Sequence, residues 1–158
     1  MFEENRNGDH GRGFELLLRA PGNLGGDTGA FLTVRQRSRK ATLALRPSWV
    51  RLLLVLHEAL HCDAASGYEP EVCGWRTADQ IAQSMMERGG GYKIERESVR
   101  VYASNIEAAV RKAVSRIWNG VSERASFPGV FENKRKIGKR LSPLYRFVVE
   151  QTAAASRV

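Results

Sequence analysis

Apolar residues recur along this chain with two different periods. From Ala30 to Gln36 they alternate, with Phe31, Thr33 and Arg35 on one side and Leu32, Val34 and Gln36 on the other. That is the period of a half-buried strand. Ala41 to Leu45 alternates again, and Ser38, Arg39 and Lys40 between the two runs predict a hairpin. Phe14 to Arg19 is a short apolar run and a candidate strand. Asn23 to Gly29 holds Gly25, Gly26, Asp27 and Gly29, which together signal a turn. Residues 14–46 therefore predict a small antiparallel sheet.

Beyond Pro47 the period changes to that of a helix. Pro47 and Ser48 mark the start, with Ser48 a fair N-cap and Pro47 suited to the first turn. Trp49, Leu52, Leu53, Leu56 and Leu60 follow helical spacing. Val50, Leu54 and Val55 make this helix apolar nearly all round, so it is expected to be buried on more than one side. Cys62 to Trp75, with Gly67, Pro70 and Gly74, predicts a loop. Thr77 followed by Gln80 forms a capping box, and Ala78, Ile81, Ala82 and Met85 form the stripe of a second, shorter helix. Gly89, Gly90 and Gly91 end it, and Tyr92 to Glu97 is a polar connector. A third helix, 98–117, carries Val99, Ala103, Ile106, Val110, Ala113 and Ile117 as its buried stripe, and Gly120 closes it. Phe127 to Phe131 and Gly138 to Leu141 then flank Asn133-Lys134-Arg135-Lys136, predicting a hairpin with a basic tip.

This order predicts one α+β domain over 14–141, with the sheet at 14–46 and the helices and hairpin at 47–141. Residues 1–13 are expected as a disordered tail and 142–158 as a C-terminal tail. Two consecutive helices followed by a basic hairpin are the parts of a winged helix-turn-helix. The expected fold is thus a winged helix-turn-helix with an N-terminal antiparallel sheet and a C-terminal β-hairpin wing.

Charge sharpens this picture. The 158-residue chain carries a net charge of +8, unevenly spread. Met1 to Glu87 holds 10 Lys and Arg against 11 Asp and Glu, whereas Arg88 to Arg146 holds 14 against 5. A positive field concentrated in the C-terminal part points to a polyanionic partner. The longest apolar run, Val50 to Leu56, is far too short to span a bilayer and contains Arg51. The first residues are polar and unlike a signal peptide. Two cysteines, Cys62 and Cys73, fit free thiols, and a cytoplasmic protein with no membrane partner is expected.

The third helix then carries the candidate chemistry. Ser98, Val101, Tyr102 and Asn105 fall at i, i+3, i+4 and i+7. The major groove admits one helix, Asn pairs with an adenine edge, Val meets a thymine methyl, and Tyr and Ser reach phosphates. Arg135 at the hairpin tip suits a minor groove, with Lys134 and Lys136 on phosphates. The segment Ser98-Val99-Arg100-Val101-Tyr102-Ala103-Ser104-Asn105-Ile106 resembles the recognition helix of OmpR/PhoB-type response-regulator effector domains. Arg135-Lys136-Ile137-Gly138-Lys139-Arg140-Leu141 resembles that family's wing. Leu43-Ala44-Leu45-Arg46-Pro47-Ser48, followed by Leu52-Leu53-Leu54, resembles the approach to its first helix. The resemblance spans roughly Phe14 to Leu141. It implies sequence-specific binding of double-stranded DNA by a transcriptional regulator without a cofactor, and it adds Arg100, Lys139 and Arg140 to the DNA-binding set. It also implies RNA polymerase as a second candidate partner, through 88–97, and a homodimer on DNA. The sequence departs from the family at Asn105, Glu107 and Ala108, where basic residues are usual, and at Lys139, where the wing has tyrosine. Little more than a tail precedes the sheet, so no receiver domain is expected.

Two other readings compete. His57-Glu58-Ala59-Leu60-His61 matches the H-E-x-x-H string of zinc-dependent metallopeptidases, in which both histidines bind the metal and the glutamate is the general base. A catalytic zinc needs a third protein ligand, and the only other histidine is His10. Glu69, Glu71 and Glu87 are available carboxylates, and Cys62 with Cys73 offers a non-catalytic metal site. The basic C-terminal part is left unexplained by such an enzyme, so no enzymatic activity is expected. The remaining alternative is a winged helix that serves as a protein-docking module.

Overall fold

A computed structural model of the chain describes residues 13–21, 30–88, 93–117 and 127–152. Its elements are β1 (Phe14–Pro21), β2 (Phe31–Gln36), β3 (Arg39–Ala44), α1 (Pro47–Ala65), a 3-10 turn (Pro70–Val72), α2 (Ala78–Glu87), α3 (Arg96–Ile117), β4 (Phe131–Lys134), β5 (Gly138–Leu141) and β6 (Tyr145–Thr152). The fold is α+β: three helices, a four-stranded sheet and a two-stranded hairpin.

The alternation in the strands sorts their side chains between core and solvent. Phe14, Leu16 and Leu18 of β1, Leu32 and Val34 of β2 and Ala41 of β3 are buried. Against them lies α1, whose seven consecutive residues Val50 to Leu56 are all buried, Arg51 included. The doubly covered helix expected from its apolar circumference is therefore present. Ile81 and Met85 of α2 and Val99, Ile106 and Val110 of α3 complete one continuous core. The Thr77 capping box is formed: Gln80 N–H donates to the Thr77 hydroxyl (3.1 Å) and Thr77 N–H to the Gln80 side chain (2.8 Å).

The sheet departs from expectation in one major respect. Its order is β3-β2-β1-β6, and β6 pairs with β1 in parallel, Phe14 opposite Tyr145 through Pro21 opposite Thr152. The C-terminal tail expected at 142–158 is, over 145–152, a strand, and the sheet is mixed rather than antiparallel. The physical reason is coverage. Tyr145 is buried beside Phe14, with ring centroids 5.7 Å apart, and its hydroxyl donates to the Pro128 carbonyl at 2.9 Å. Phe147 and Val149 pack partly against the same core.

Smaller differences lie at element ends. The β2–β3 turn is Arg37–Ser38, with Arg37 at φ 57°, and Arg39 and Lys40 belong to β3. Ser48 is not the cap of α1: Arg46 holds that position without a side-chain bond, and Pro47 opens the helix. α1 runs to Ala65, into the expected loop, and α3 begins two residues early, at Arg96. Residues 127–130 precede β4 without being strand. The turn at Asn23–Gly29, the glycines at 89–91 and 120, and the tail at 1–12 lie outside the described residues. Among the described residues, no helix is long and apolar enough to cross a membrane.

The hairpin is bridged to the segment before α2, and that segment is tied to α1. Arg76, just before α2, forms an antiparallel bridge with Lys139 of β5, with N–H to O distances of 3.0 and 2.9 Å. Gly138 beside it sits at φ 133°, and a Cβ there would lie 2.1 Å from the Arg76 carbonyl oxygen, so only glycine permits this approach. The Arg76 guanidinium also grips Asp63 near the end of α1 through two bonds, at 2.9 and 3.0 Å. Gly74 N–H donates to the same carboxylate at 2.8 Å.

Candidate nucleic-acid interface

The buried stripe of α3 fixes which of its faces is free. With Val99, Ala103, Ile106, Val110, Ala113 and Val114 turned inward, the outward side carries Arg100, Val101, Ser104, Ala108, Arg111 and Lys112, all exposed. Beside this face runs the hairpin. Arg100, Ser104, Ala108 and Arg111 line a groove whose other wall includes Gly129, Phe131, Asn133 and Lys139. A second concavity continues past Arg100 to Arg96 and to Thr77 and Asp79 at the start of α2, with Lys134 to Lys139 opposite. Arg100 borders both. Its guanidinium pairs with Glu97 at 3.0 Å, and Arg96 pairs with Asp79 at 3.0 Å, in each case exposed to solvent.

The expected DNA-facing residues divide on this geometry. Arg100, Val101 and Asn105 are exposed, Val101 by 53% of its surface. Ser98 and Tyr102 are half-buried, and Tyr102 packs against the core. At about 100° per residue, the stripe Ser98, Val101, Tyr102, Asn105 is turned well away from the groove floor. The residues that do line the groove on the helix side, Ser104 and Arg111, were missed, as was Arg96 in the adjoining concavity. The signal was present: Arg100, Ser104 and Arg111 recur at i, i+4 and i+11, a quarter-turn and more from the buried stripe.

On the hairpin, Lys134, Arg135 and Lys136 are exposed. Among the described residues, neither Arg135 nor Lys136 has an ion-pair partner. Lys134 lies 6.0 Å from the centre of the Trp75 ring. Lys139 is half-buried, donates to the Asn133 side chain and stands 5.6 Å over Phe131. Burial pushes its pKa down, opposed by Glu107 and reinforced by Arg100.

Arg140 requires a correction. It was expected among the DNA contacts, yet it is only 9% exposed. Its Nε donates to Glu132 at 2.8 Å. One terminal nitrogen donates to the carbonyls of Pro70 (3.0 Å), Glu71 (3.3 Å) and Cys73 (3.1 Å). The guanidinium also lies 4.6 Å over Trp75. With Nε, one terminal nitrogen and a face of the guanidinium engaged and the side chain buried, this cation fastens the hairpin to the loop after α1 and is poorly placed to reach a phosphate.

Glu107 has a similar office on α3. Its carboxylate accepts the backbone N–H groups of Val130 and of Phe131, the latter at 3.0 Å, where the chain turns into β4. The position occupied by a basic residue in the resembled family thus holds the hairpin's base against α3.

The competing histidines lie on α1, away from this groove. Their rings are 4.4 Å apart, and His57 also meets Phe147 of β6 at 5.0 Å. Among the described residues, the buried His57 Nδ1 has no hydrogen-bond partner. Burial and His61 lower the His57 pKa, with Glu58 acting against them. Glu58 points to solvent and pairs with Arg88 at 2.9 Å. Among the described residues, no group of three His, Cys, Asp or Glu side chains is placed to hold a metal ion. Cys62 is exposed, while Cys73 is buried and donates to the Tyr68 carbonyl.

No family model, curated protein or solved structure matches this chain.

Proposed function

We propose that this chain is a winged-helix protein that binds duplex DNA and acts as a transcriptional regulator, with α3 in the major groove and the β4–β5 hairpin as its wing. The order of α1, α2, α3 and hairpin supports that reading, as does the bridge from Arg76 to Lys139 that sets the hairpin beside α2 and α3. The observation that carries it is the shared groove. Two adjoining concavities that share Arg100 and Lys139 run along the exposed face of α3, one with Ser104 and Arg111 and the other with Arg96, Lys134, Arg135 and Lys136, and their cations outnumber the lining carboxylates Glu107 and Asp79. A polyanionic duplex meets its charge there, while the exposed Val101 and Asn105, on the neighbouring side of α3 turned away from the groove floor, supply an apolar and an amide contact to base edges that this side of the helix meets.

Half the resembled wing motif serves this role and half serves packing. Arg135, Lys136 and Lys134 face outward to phosphates, while Arg140 holds the hairpin in place. The likeness to OmpR/PhoB-type effector domains belongs to the same proposal and rests on the residues quoted above.

The test is a DNA-binding titration over a range of salt concentrations. Affinity is expected to fall linearly on a log–log plot, with a slope near −0.9 for each phosphate neutralised. Arg135→Ala is expected to reduce that slope by about one contact, and Asn105→Ala to relax preference at one base pair without changing it. A folded protein with no measurable affinity for any duplex at low salt would overturn the proposal.

A further inference from the structure

Beyond charge, the hairpin tip presents an apolar side chain. Ile137 follows Arg135 and Lys136 and leaves 46% of its surface in water, one of six large apolar side chains so exposed among the described residues. Its position is stiffly held. Ile137 N–H donates back to the Lys134 carbonyl at 3.0 Å, closing the turn. Lys136 takes a left-handed conformation at φ 69°, and Gly138 on the other side is pressed against the Arg76 backbone. Below the turn, the Arg76–Lys139 bridge and the engaged Arg140 guanidinium fix the hairpin to α2 and to the loop after α1. Ile137 lines the same concavity as Arg96, Arg100 and Lys134.

An exposed isoleucine on a rigid arm, flanked by two cations without partners among the described residues, has the make-up of a wedge for nucleic acid. The cations draw the arm onto the phosphates that border a minor groove. The isoleucine then has one apolar surface within reach, the faces of stacked bases. Apolar side chains inserted between base steps unstack them and kink the duplex by about 20–90°. Pyrimidine–purine steps open most easily.

We infer that Ile137 is a minor-groove wedge, and that binding of this protein bends duplex DNA at a flexible step under the hairpin tip. This inference rests on the proposed DNA binding. It assigns specificity to a base step the helix does not touch.

The experiment uses the full chain and a duplex selected with it from a random pool, labelled at both ends for energy transfer. The wild-type protein is expected to shorten the end-to-end distance, and Ile137→Ala to restore most of it. Affinity for the selected duplex is expected to drop about tenfold or less, with the salt slope unchanged, because the slope counts phosphates and Ile137 touches none. Ile137→Leu, which keeps an apolar wedge, is expected to retain the bend, and the thermal transitions of both variants confirm that they fold. Binding with an unbent duplex, or an Ile137→Ala complex bent as strongly as the wild type, overturns the wedge and leaves DNA binding standing. Failure of the wild-type chain to select or bind any duplex overturns both.

Discussion

Arginines with similar sequence settings do different work in this protein. Arg135 and Arg140 both lie in the short basic run of the hairpin, yet among the described residues one is exposed without an ion-pair partner and the other is buried and bound through two of its nitrogens. Arg140→Ala removes the donor for three carbonyls and leaves Glu132 without its partner. An orphaned buried acceptor costs about 1–3 kcal/mol, and of the three carbonyl bonds only that to Cys73 is fully buried, while Pro70, Glu71 and Glu132 keep contact with water, so the expected loss is about 2–3 kcal/mol in urea denaturation. Arg135→Ala is expected to stay within about 0.5 kcal/mol of wild type, as surface substitutions do. The pair of variants separates a cation that builds the hairpin from one that faces outward. Nothing in the local sequence distinguishes the two. What decides is Trp75 and the carbonyls of residues 70–73, about seventy positions away in the chain.

Glu107 makes the same point with the opposite charge. Glu107→Ala frees the N–H groups of Val130 and Phe131, so hydrogen exchange at these two amides is expected to rise well before exchange in the middle of α3. Equal acceleration throughout α3 would mean that the carboxylate supports the helix itself and not the hairpin's base.

Between elements, the features that were legible in the sequence are those governed by local pattern. The alternation of β2, the capping box of α2 and the stripe of α3 from Val99 to Ala113 each follow from short-range physics and are present, while the side chain of Ile117 lies outside the described residues. The all-round apolar character of α1 likewise indicated burial on several sides. The parts that were not legible depend on distant partners. The outward face of α3 was judged from polarity alone, and Tyr102, polar at one end, packs its ring on the core. The spacing of Arg100, Ser104 and Arg111 puts them on one face of the helix, but the hairpin that makes that face a groove wall cannot be placed from the sequence. The strand β6 carries an alternating Tyr145-Arg146-Phe147-Val148-Val149-Glu150, but a strand that far from the sheet gives no sign of its neighbour. Deleting 145–152 uncovers one side of β1 and removes Tyr145 from Phe14. That truncation is expected to abolish the cooperative thermal transition. A truncated chain that melts sharply near the wild-type temperature would make β6 an accessory.

For the molecule as a whole, falling pH weakens the fold at two groups. His57 has its pKa lowered from 6.5 by burial, with His61 adding to the effect and Glu58 opposing it. The unfolded chain therefore binds this proton more readily than the folded one. Stability falls as pH drops below about 6.5 and stops falling once the folded histidine also titrates. Asp63 acts in the same direction at lower pH. The bonds from Arg76 hold its carboxyl below the usual range, a contribution present above the ordinary aspartate pKa and lost as pH falls through the folded value. Two successive losses are expected when urea stability is measured from neutral pH downward. His57→Gln should remove the first and spare the second, and an unchanged profile would place the first loss elsewhere.

The parallel pairing of β1 with β6 also has a consequence in time. Glu15 and Arg146, which meet across it, are 131 residues apart in sequence. During synthesis β1 emerges first, and at about 5–20 residues per second it waits several seconds for its neighbour. Throughout that interval one edge of β1 lies open, with its row of N–H and C=O groups available to any other strand. The nascent chain is thus open to mispairing at that edge until β6 appears. Folding that must close a contact across 131 residues is expected to be slow.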